Sequence, residues 1–569
     1  MSRTAFYPIL PFGLEELDEA RENRSQQIGT RMEANTMTGA EAAVAALRMN
    51  GIDTVFGIPG GHSFPMYAAL EKEPGIRHVL GRHEQGLGYM ADGYARASGK
   101  IAAVSITSGP AVANLASAMG QATTDGSAML VVASTPRSDL VGKNRGGLHD
   151  LNDSLDLART VCRYVDHCAN PDEIPGKINA LVHQLRTARP GAAFIQIPTD
   201  VMGSETEILI EEPPEACRLA PDDEAINEAA ALLNRAERPL IIVGTGAMVS
   251  GAGPILRQLA ELLGAVVSTD VLSRGTVPGD LPYVIFPDGA TPTPVNEVFR
   301  EADVVLAVGT MFRQEDTSNW DISFTGRLIH VDIDPAEFGR SYTPDIAIHS
   351  DALAACQALA ERLERSAPAA AEWVAYARSK QEERIADRRR KQGPDLELAQ
   401  AFRKALPRDT ILCADRCNLG YWAFRCLPFY EPRTFQYPLG FGGLGGALSQ
   451  AIGAKISFPD RQVVTLVGDG GIQFTLPELA VAVQESTAVK IIVSNNQCYE
   501  AIRAGLEKNY PGTSLGTRLS GPDYAKIAEA YGIPFIRCGD GSSFLAAFKQ
   551  ELEEDRLSLI EFQNEIKDP

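Results

Sequence analysis

The stretch VVTLVGDGGIQFTLPELAVAVQESTAVKIIVSNNQCY, residues 463–499, decides the fold class. An apolar run ends in Gly468-Asp469-Gly470-Gly471. A helix-like segment follows, and a second apolar run, VKIIV, ends in Ser494-Asn495-Asn496. Two short β-branched runs joined by a segment of crossover length read as a parallel βαβ unit buried on both faces. In doubly wound sheets, ligands bind outside the carboxyl ends of the strands. That is where this chain sets an acid, two glycines and a pair of amides. A carboxylate, an amide oxygen and a loop carbonyl suit a hard cation such as Mg²⁺, which keeps positions for phosphate oxygens and water. Gly470 and Gly471 let the backbone approach a phosphate, and the helix behind them offers N–H groups to an anion. The unit reads as a metal-bridged diphosphate site.

The same grammar runs through the rest of the chain. After residues 1–36, a polar arm read as helical over 14–24, come a helix (GAEAAVAALRMNG), a strand (TVFGIPG), a helix, a strand (RHVLG), a helix (EQGLGYMADGYARASG) and a strand (IAAVSITSG). A proline- and acid-rich break, EEPPEACRLAPDD, falls near 211–223, and a second block opens at RPLIIVGTGAMVSGAG. The charge-dense RSKQEERIADRRRKQGPDLE, 378–397, reads as a solvated helix and linker before the last block. The expected architecture is α/β, with three doubly wound parallel-sheet domains: 37–210, 222–376 and 394–563. At 569 residues the chain is long enough for three cores of ordinary size.

Composition bounds the partners. With 53 basic and 73 acidic residues the formal net charge is −20, which argues against a nucleic-acid surface or an anionic membrane. No apolar run approaches the ~20 residues that cross a bilayer, and the first residues lack a signal-peptide apolar core. Nine cysteines without a C-x-x-C pair fit free thiols in a reducing compartment. The expectation is a soluble, cytoplasmic protein.

The 24 residues between Gly468-Asp469-Gly470 and Asn495-Asn496 resemble the signature of thiamin diphosphate enzymes, GDG followed by NN. The order of the blocks resembles the acetolactate synthase-like members of that group, over roughly 37–563. The resemblance implies a pyrimidine-binding, a middle and a diphosphate-binding domain. It implies Asp469, Asn496 and the backbone carbonyl of Cys498 as Mg²⁺ ligands, with Gly468, Gly470 and Gly471 against the cofactor. In IRHVLGRHEQGLGYMADG, Glu84 matches the acid that bonds the cofactor's pyrimidine N1′ and drives its tautomerisation. In YPLGFGGLGGALSQ, Leu444 matches the side chain that bends the cofactor, and the Gly442 carbonyl the acceptor of its amine. Glu84 of one chain would face the 469/496 site of another, which makes the protein a homodimer or homotetramer.

Several stretches depart from the family pattern. A family Gly-Pro-Gly loop reads Gly109-Pro110-Ala111 here, which puts the local turn in question. His149 stands where synthases carry glutamine, and His62 lies in GIPGGH; two imidazoles near the cofactor suit proton handling. Glu500 and Arg503 follow the metal loop and could line a substrate channel. The glycines Gly244, Gly246 and Gly251 do not make G-x-G-x-x-G and are weak evidence for a dinucleotide. Around PYVIFPDGATPTP the Gly-Met-His-Gly stretch of the family's flavin-binding members is absent, so the resemblance implies no FAD.

The implied reaction is decarboxylation of a 2-oxo acid through an enamine, then protonation to an aldehyde or carboligation as in acetolactate synthesis. The alternative is a strict decarboxylase of a larger, guanidino 2-oxo acid, which GIPGGH and GGLHDL also resemble. Readings from other classes are a non-catalytic cofactor-binding subunit and a flavin or nicotinamide oxidoreductase.

Overall fold

A computed structural model describes residues 35–289, 291–364 and 371–563. The arm with its expected helix over 14–24 lies outside the described residues. Three six-stranded parallel sheets carry the chain. The first comprises β2 (Thr54–Gly57), β3 (Arg77–Leu80), β4 (Ala102–Ile106), β5 (Met129–Thr135), β6 (Tyr164–His167) and β7 (Ala192–Pro198) in the order β3-β2-β4-β5-β7-β6. Two flanking strands, β1 (Asn35–Thr38) and β8 (Glu205–Ile208), pair antiparallel and close this unit. The second sheet comprises β9 (Pro239–Val243), β10 (Val266–Thr269), β11 (Val284–Ile285), β12 (Val304–Val308), β13 (Arg327–Asp332) and β14 (Ile346–His349), ordered β11-β10-β9-β12-β13-β14. The third comprises β15 (Ile411–Ala414), β16 (Phe435–Gln436), β17 (Val463–Gly468), β18 (Val489–Asn495), β19 (Phe535–Cys538) and β20 (Ser558–Gln563), ordered β16-β15-β17-β18-β20-β19.

The first and third sheets therefore share one wiring, while the second follows the order common in dinucleotide folds. Their central strands are buried end to end: β5, β7, β9 and β12 expose no residue. This is why they read as unbroken apolar runs rather than alternating ones. The opening unit forms as read, with β17 and β18 paired in register from Val463↔Val489 to Gly468↔Ser494.

The first and third sheets also share a core. One cluster joins Phe56, Val104 and Leu115 to Ala447, Leu448, Val463 and Val489. The contact is a pair of helices, Glu84–Ser98 and Gly446–Ser457, pressed together until backbone meets backbone. A Cβ on Gly93 would fall on the Gln450 carbonyl, and one on Gly453 on the Met90 carbonyl. A buried polar seam runs beside it. Gln450 donates to Asp92 at 2.7 Å, and Arg96 bridges Asp92 and Asp125 at 2.8 and 2.9 Å. Asp125 also takes the Gly440 N–H at 2.8 Å.

The charged stretch 378–397 differs from its reading as a solvated helix and linker. It lies inside a helix, Ala371–Ala405, kinked at Gln392 (φ −146°) just before Pro394. Arg384 is buried there, donating to Asp288 and to the Arg425 carbonyl at 3.1 Å each; Arg388 also reaches Asp288. Charge density alone could not show that one arginine face of this helix is paired against the second and third sheets.

Candidate active site

The cavity lies at the carboxyl ends of three adjacent strands of the third sheet. From β15 come Arg416 and Cys417, with Asn418 and Tyr421 on the helix Asn418–Cys426. From β17 come Gly468, Asp469, Gly470 and Gly471, and from β18 Ser494 and Asn496, with Cys498 to Ile502 beyond. Gly442 and Leu444 enter from the turn before the Gly446 helix. The cavity measures about 310 Å³. All eight residues expected against the cofactor line it: Gly442, Leu444, Gly468, Asp469, Gly470, Gly471, Asn496 and Cys498.

Asp469 is the chemical centre of this end. It is 4 % exposed, and its Oδ2 has no hydrogen-bond partner among the described residues. Burial pushes its carboxyl up from the usual 3.8 to about 6, against the N–H groups of Gly470, Gln497 and Cys498, which favour the anion. Asn496 turns its Oδ1 onto the Cys498 N–H at 3.2 Å, and Gln497 is left-handed (φ 55°). Asn496 and the loop after it share the cavity wall with Asp469. The loop is braced from outside: Tyr499 donates to the Thr517 carbonyl and Leu519 to the Gln497 carbonyl, each at 2.8 Å. Gly470 cannot carry a side chain, because a Cβ there would run into the Tyr499 ring.

A second acid, which the sequence reading passed over, organises the same end. Asp415 follows β15, is buried, and takes the Gly445 N–H at 2.6 Å and the Arg416 N–H at 2.9 Å. Burial raises its carboxyl to about 6. It thereby fixes the turn that carries Gly442 and Leu444. Its signal was legible: TILCAD closes an apolar run with an acid as VVTLVGD does. Arg416 is held by Glu315 at 2.9 Å and by the Pro438 and Leu439 carbonyls at 3.2 Å.

The other predicted side chains, Glu84, His62 and His149, gather at the first sheet, joined by Ser108, which the sequence did not single out. His62, Glu84, Ser108 and His149 follow β2, β3, β4 and β5, four adjacent strands, all at their carboxyl ends. Glu84 opens its helix in the first turn and accepts from Asn114 Nδ2 at 2.9 Å. The His62 ring meets Ser108 Oγ at 2.7 Å through Nδ1 and stands edge-on to His149, centroids 5.6 Å apart. Burial first, and His149 second, hold the His62 imidazole below its usual value. His149 is left-handed (φ 62°), and its buried Nδ1 has no partner among the described residues. Ala111, the departure from Gly-Pro-Gly, starts the helix Pro110–Asp125 fully buried. None of these residues lines the 310 Å³ cavity. Gly244 and Gly246 serve close packing of β9 and β12, since Cβ atoms there would meet Gly309.

Three family models match in chain order. They are the thiamine pyrophosphate enzyme N-terminal TPP binding domain over 37–157, its central domain over 226–359 and its C-terminal TPP binding domain over 415–562. The chain belongs to the thiamine pyrophosphate enzymes. It is 36% identical over 547 residues to the probable 2-ketoarginine decarboxylase of Pseudomonas aeruginosa, covering 93% of this chain and 94% of that one. It is 31% identical over 549 residues to the acetolactate synthase large subunit of Corynebacterium glutamicum, covering 92% and 86%. To the acetolactate synthase of Mycobacterium bovis it is 30% identical over 552 residues, covering 94% and 87%. As a thiamine pyrophosphate enzyme of the acetolactate synthase-like kind, its cofactor is thiamin diphosphate, another name for the same molecule. No described helix is long and apolar enough to cross a membrane.

Proposed function

We propose that this enzyme decarboxylates a 2-oxo acid, with thiamin diphosphate held through Mg²⁺ in the cavity of the third sheet. The orphaned Oδ2 of buried Asp469, converging with Asn496 and the Cys498 loop, is the observation that carries this reading. One carboxylate, one amide and one backbone carbonyl are a hard-oxygen donor set that leaves room for phosphate oxygens. Gly468, Gly470 and Gly471 keep the wall bare where a diphosphate must approach, and the short helix Asp469–Ile472 adds its N–H groups. Bound there, the cofactor supplies the electron sink that decarboxylation needs.

The chain's own groups do the rest. Leu444 presses an apolar surface into the cavity, Gly442 offers a carbonyl, and Asp415 fixes the turn that bears both. Glu84 holds a proton toward the pyrimidine N1′. The cavity of one chain is lined by residues 416–502 alone, without Glu84, which supports a homodimer or homotetramer in which the partner supplies it. His62 and His149, with Ser108, deliver a proton to the product-forming carbon when an aldehyde leaves.

A second reading is that the 2-oxo acid carries a cationic tail. It is favoured by Glu500, a carboxylate on the cavity wall that already holds a guanidinium, that of Arg503, at 2.5 and 2.8 Å. The relative named a 2-ketoarginine decarboxylase points the same way.

The test is a product screen by mass spectrometry over apolar, acidic and guanidino 2-oxo acids, with and without aldehyde acceptors. Release of CO₂ and aldehyde supports decarboxylation, and a hydroxyketone supports ligation. The reading falls if none is turned over, or if Glu84→Gln keeps turnover within about threefold of wild type, a loss under ~0.7 kcal/mol.

A further inference from the structure

The Glu84 turn is held from the third sheet's own half of the chain. Glu478, in the single turn Leu476–Glu478, is fully buried and spends its carboxylate on two backbone donors of the first domain. The His83 N–H donates to Oε1 at 2.9 Å; the Arg82 N–H donates to Oε1 and Oε2 at 3.3 and 3.2 Å. These are the two residues immediately before Glu84. The fit leaves no slack on the other side, because a Cβ on Gly86 would land on the Glu478 carboxylate. Around this contact the seam is pinned twice more, by Arg82 to Gln484 at 2.7 Å and by Arg77 to Glu485 at 2.5 Å.

A buried carboxylate is retained at this cost only where its acceptors are needed. Here they satisfy the N–H groups that lead into a helix, and they do so from a residue nine positions beyond Asp469 on the same segment. The geometry assigns Glu478 as the positioning residue of Glu84. It sets where the activating carboxylate stands and ties it to the loop that grips the diphosphate in the same chain. If Glu84 serves the cofactor of a second copy, as proposed above, this one short segment touches two active sites: Asp469 in its own and Glu478 behind the acid of the other. The inference rests on Glu84 being the activating acid.

The groups that face Glu478 are Arg82 and His83 from the first domain and Glu84 itself, whose like charge opposes its ionisation. Burial does so more strongly, and together they hold the Glu478 carboxyl up to about 7.

The test is Glu478→Gln, which keeps shape but offers one acceptor oxygen in place of two. Hydrogen–deuterium exchange of the cofactor-free protein should speed up at least tenfold for the Arg82 and His83 amides. In the loaded enzyme, kcat and the exchange rate of the cofactor's C2 proton should fall together by tenfold or more, with thiamin diphosphate affinity within threefold. In a Glu84→Gln background, Glu478→Gln should add less than a threefold loss, since both act through one group. Gly86→Ala, which attacks the same contact from the other side, should reproduce the pattern. Unchanged amide exchange, a kcat within threefold of wild type, an additive loss in the double variant, or loss of folding by both single variants would each overturn the assignment. An inactive Glu84→Gln beside a fully active Glu478→Gln sinks this inference alone. An active Glu84→Gln sinks the reading it stands on.

Discussion

Replacing Asp469 by asparagine should make the cofactor-free protein more stable at alkaline pH while removing its grip on the cofactor. The magnitude follows from burial. The carboxyl is raised from 3.8 to about 6, chiefly because the anion is desolvated. That rise corresponds to about 3 kcal/mol between protonation states. For an acid whose folded value lies above its unfolded one, this is a cost: absent below the unfolded value, growing as pH rises, and complete above about 6. Linkage places about 1.5 kcal/mol of that change between about pH 5 and pH 8. The substituted amide keeps one side-chain oxygen and replaces the one that has no partner, while the Gln497 and Cys498 N–H groups keep Asn495 and Asn496 as acceptors, so no pH-independent hydrogen-bond loss is expected to mask the effect. The informative quantity is therefore the difference between variant and wild type as pH changes, which also cancels the raised carboxyls of Asp415 and Glu478. Denaturant titration of both cofactor-free proteins from about pH 5 to 8 should show the variant gaining ~1.5 kcal/mol over the range, and Mg²⁺ should no longer promote thiamin diphosphate binding to it. A pH-independent difference, flat to within ~0.5 kcal/mol, would refute the argument that this site stores a desolvated charge for a cation to relieve.

Gly453→Ala should cost ~1–3 kcal/mol by forcing the Gly446 and Glu84 helices apart; an unchanged melting temperature would contradict the packing described. His149→Ala should raise the His62 pKa, because it removes a neighbouring positive charge, and NMR titration of the His62 ring reads this directly; an unmoved or lowered value would refute the electrostatic link. Leu444→Ala should reduce kcat tenfold or more with little change in thiamin diphosphate affinity, measured by steady-state kinetics and fluorescence titration; a pure affinity loss would argue that Leu444 only fills space.

Much of this was legible because parallel strands buried on both faces leave unmistakable apolar runs, as in VVTLVG and VKIIV, with chemistry confined to the residues just after them. That rule places Asp469, Asn496, His62 and Glu84 at strand ends without coordinates, whereas His149 stands in a longer loop after β5. It also covers Asp415, missed only because one acid after TILCAD lacks a second motif to pair with. What the sequence hides is long-range. Nothing in LPEL marks Glu478 as the acceptor for backbone groups almost four hundred positions away. Nor does RSKQEERIADRRRKQ separate the arginines that meet Asp288 from those that meet water, since a charged run looks the same in either setting. The glycines of EQGLGYMADGYARAS read as weak helix formers; they are contact points, Gly86 for the Glu478 carboxylate, Gly88 for Leu115 and Ala118, and Gly93 for another helix's backbone.

The polar seam beside those helices governs how the molecule can be taken apart. Arg96 pairs with Asp92 and Asp125 inside the first domain, and Gln450 bonds Asp92 across the boundary between the first and third sheets. A fragment holding only the amino-terminal half would expose a two-acid, one-arginine cluster and a glycine-lined trough shaped for a missing partner. Dissection at the 211–221 connection should therefore yield an insoluble or molten piece rather than a free-standing module, and co-expression of the two halves should rescue it.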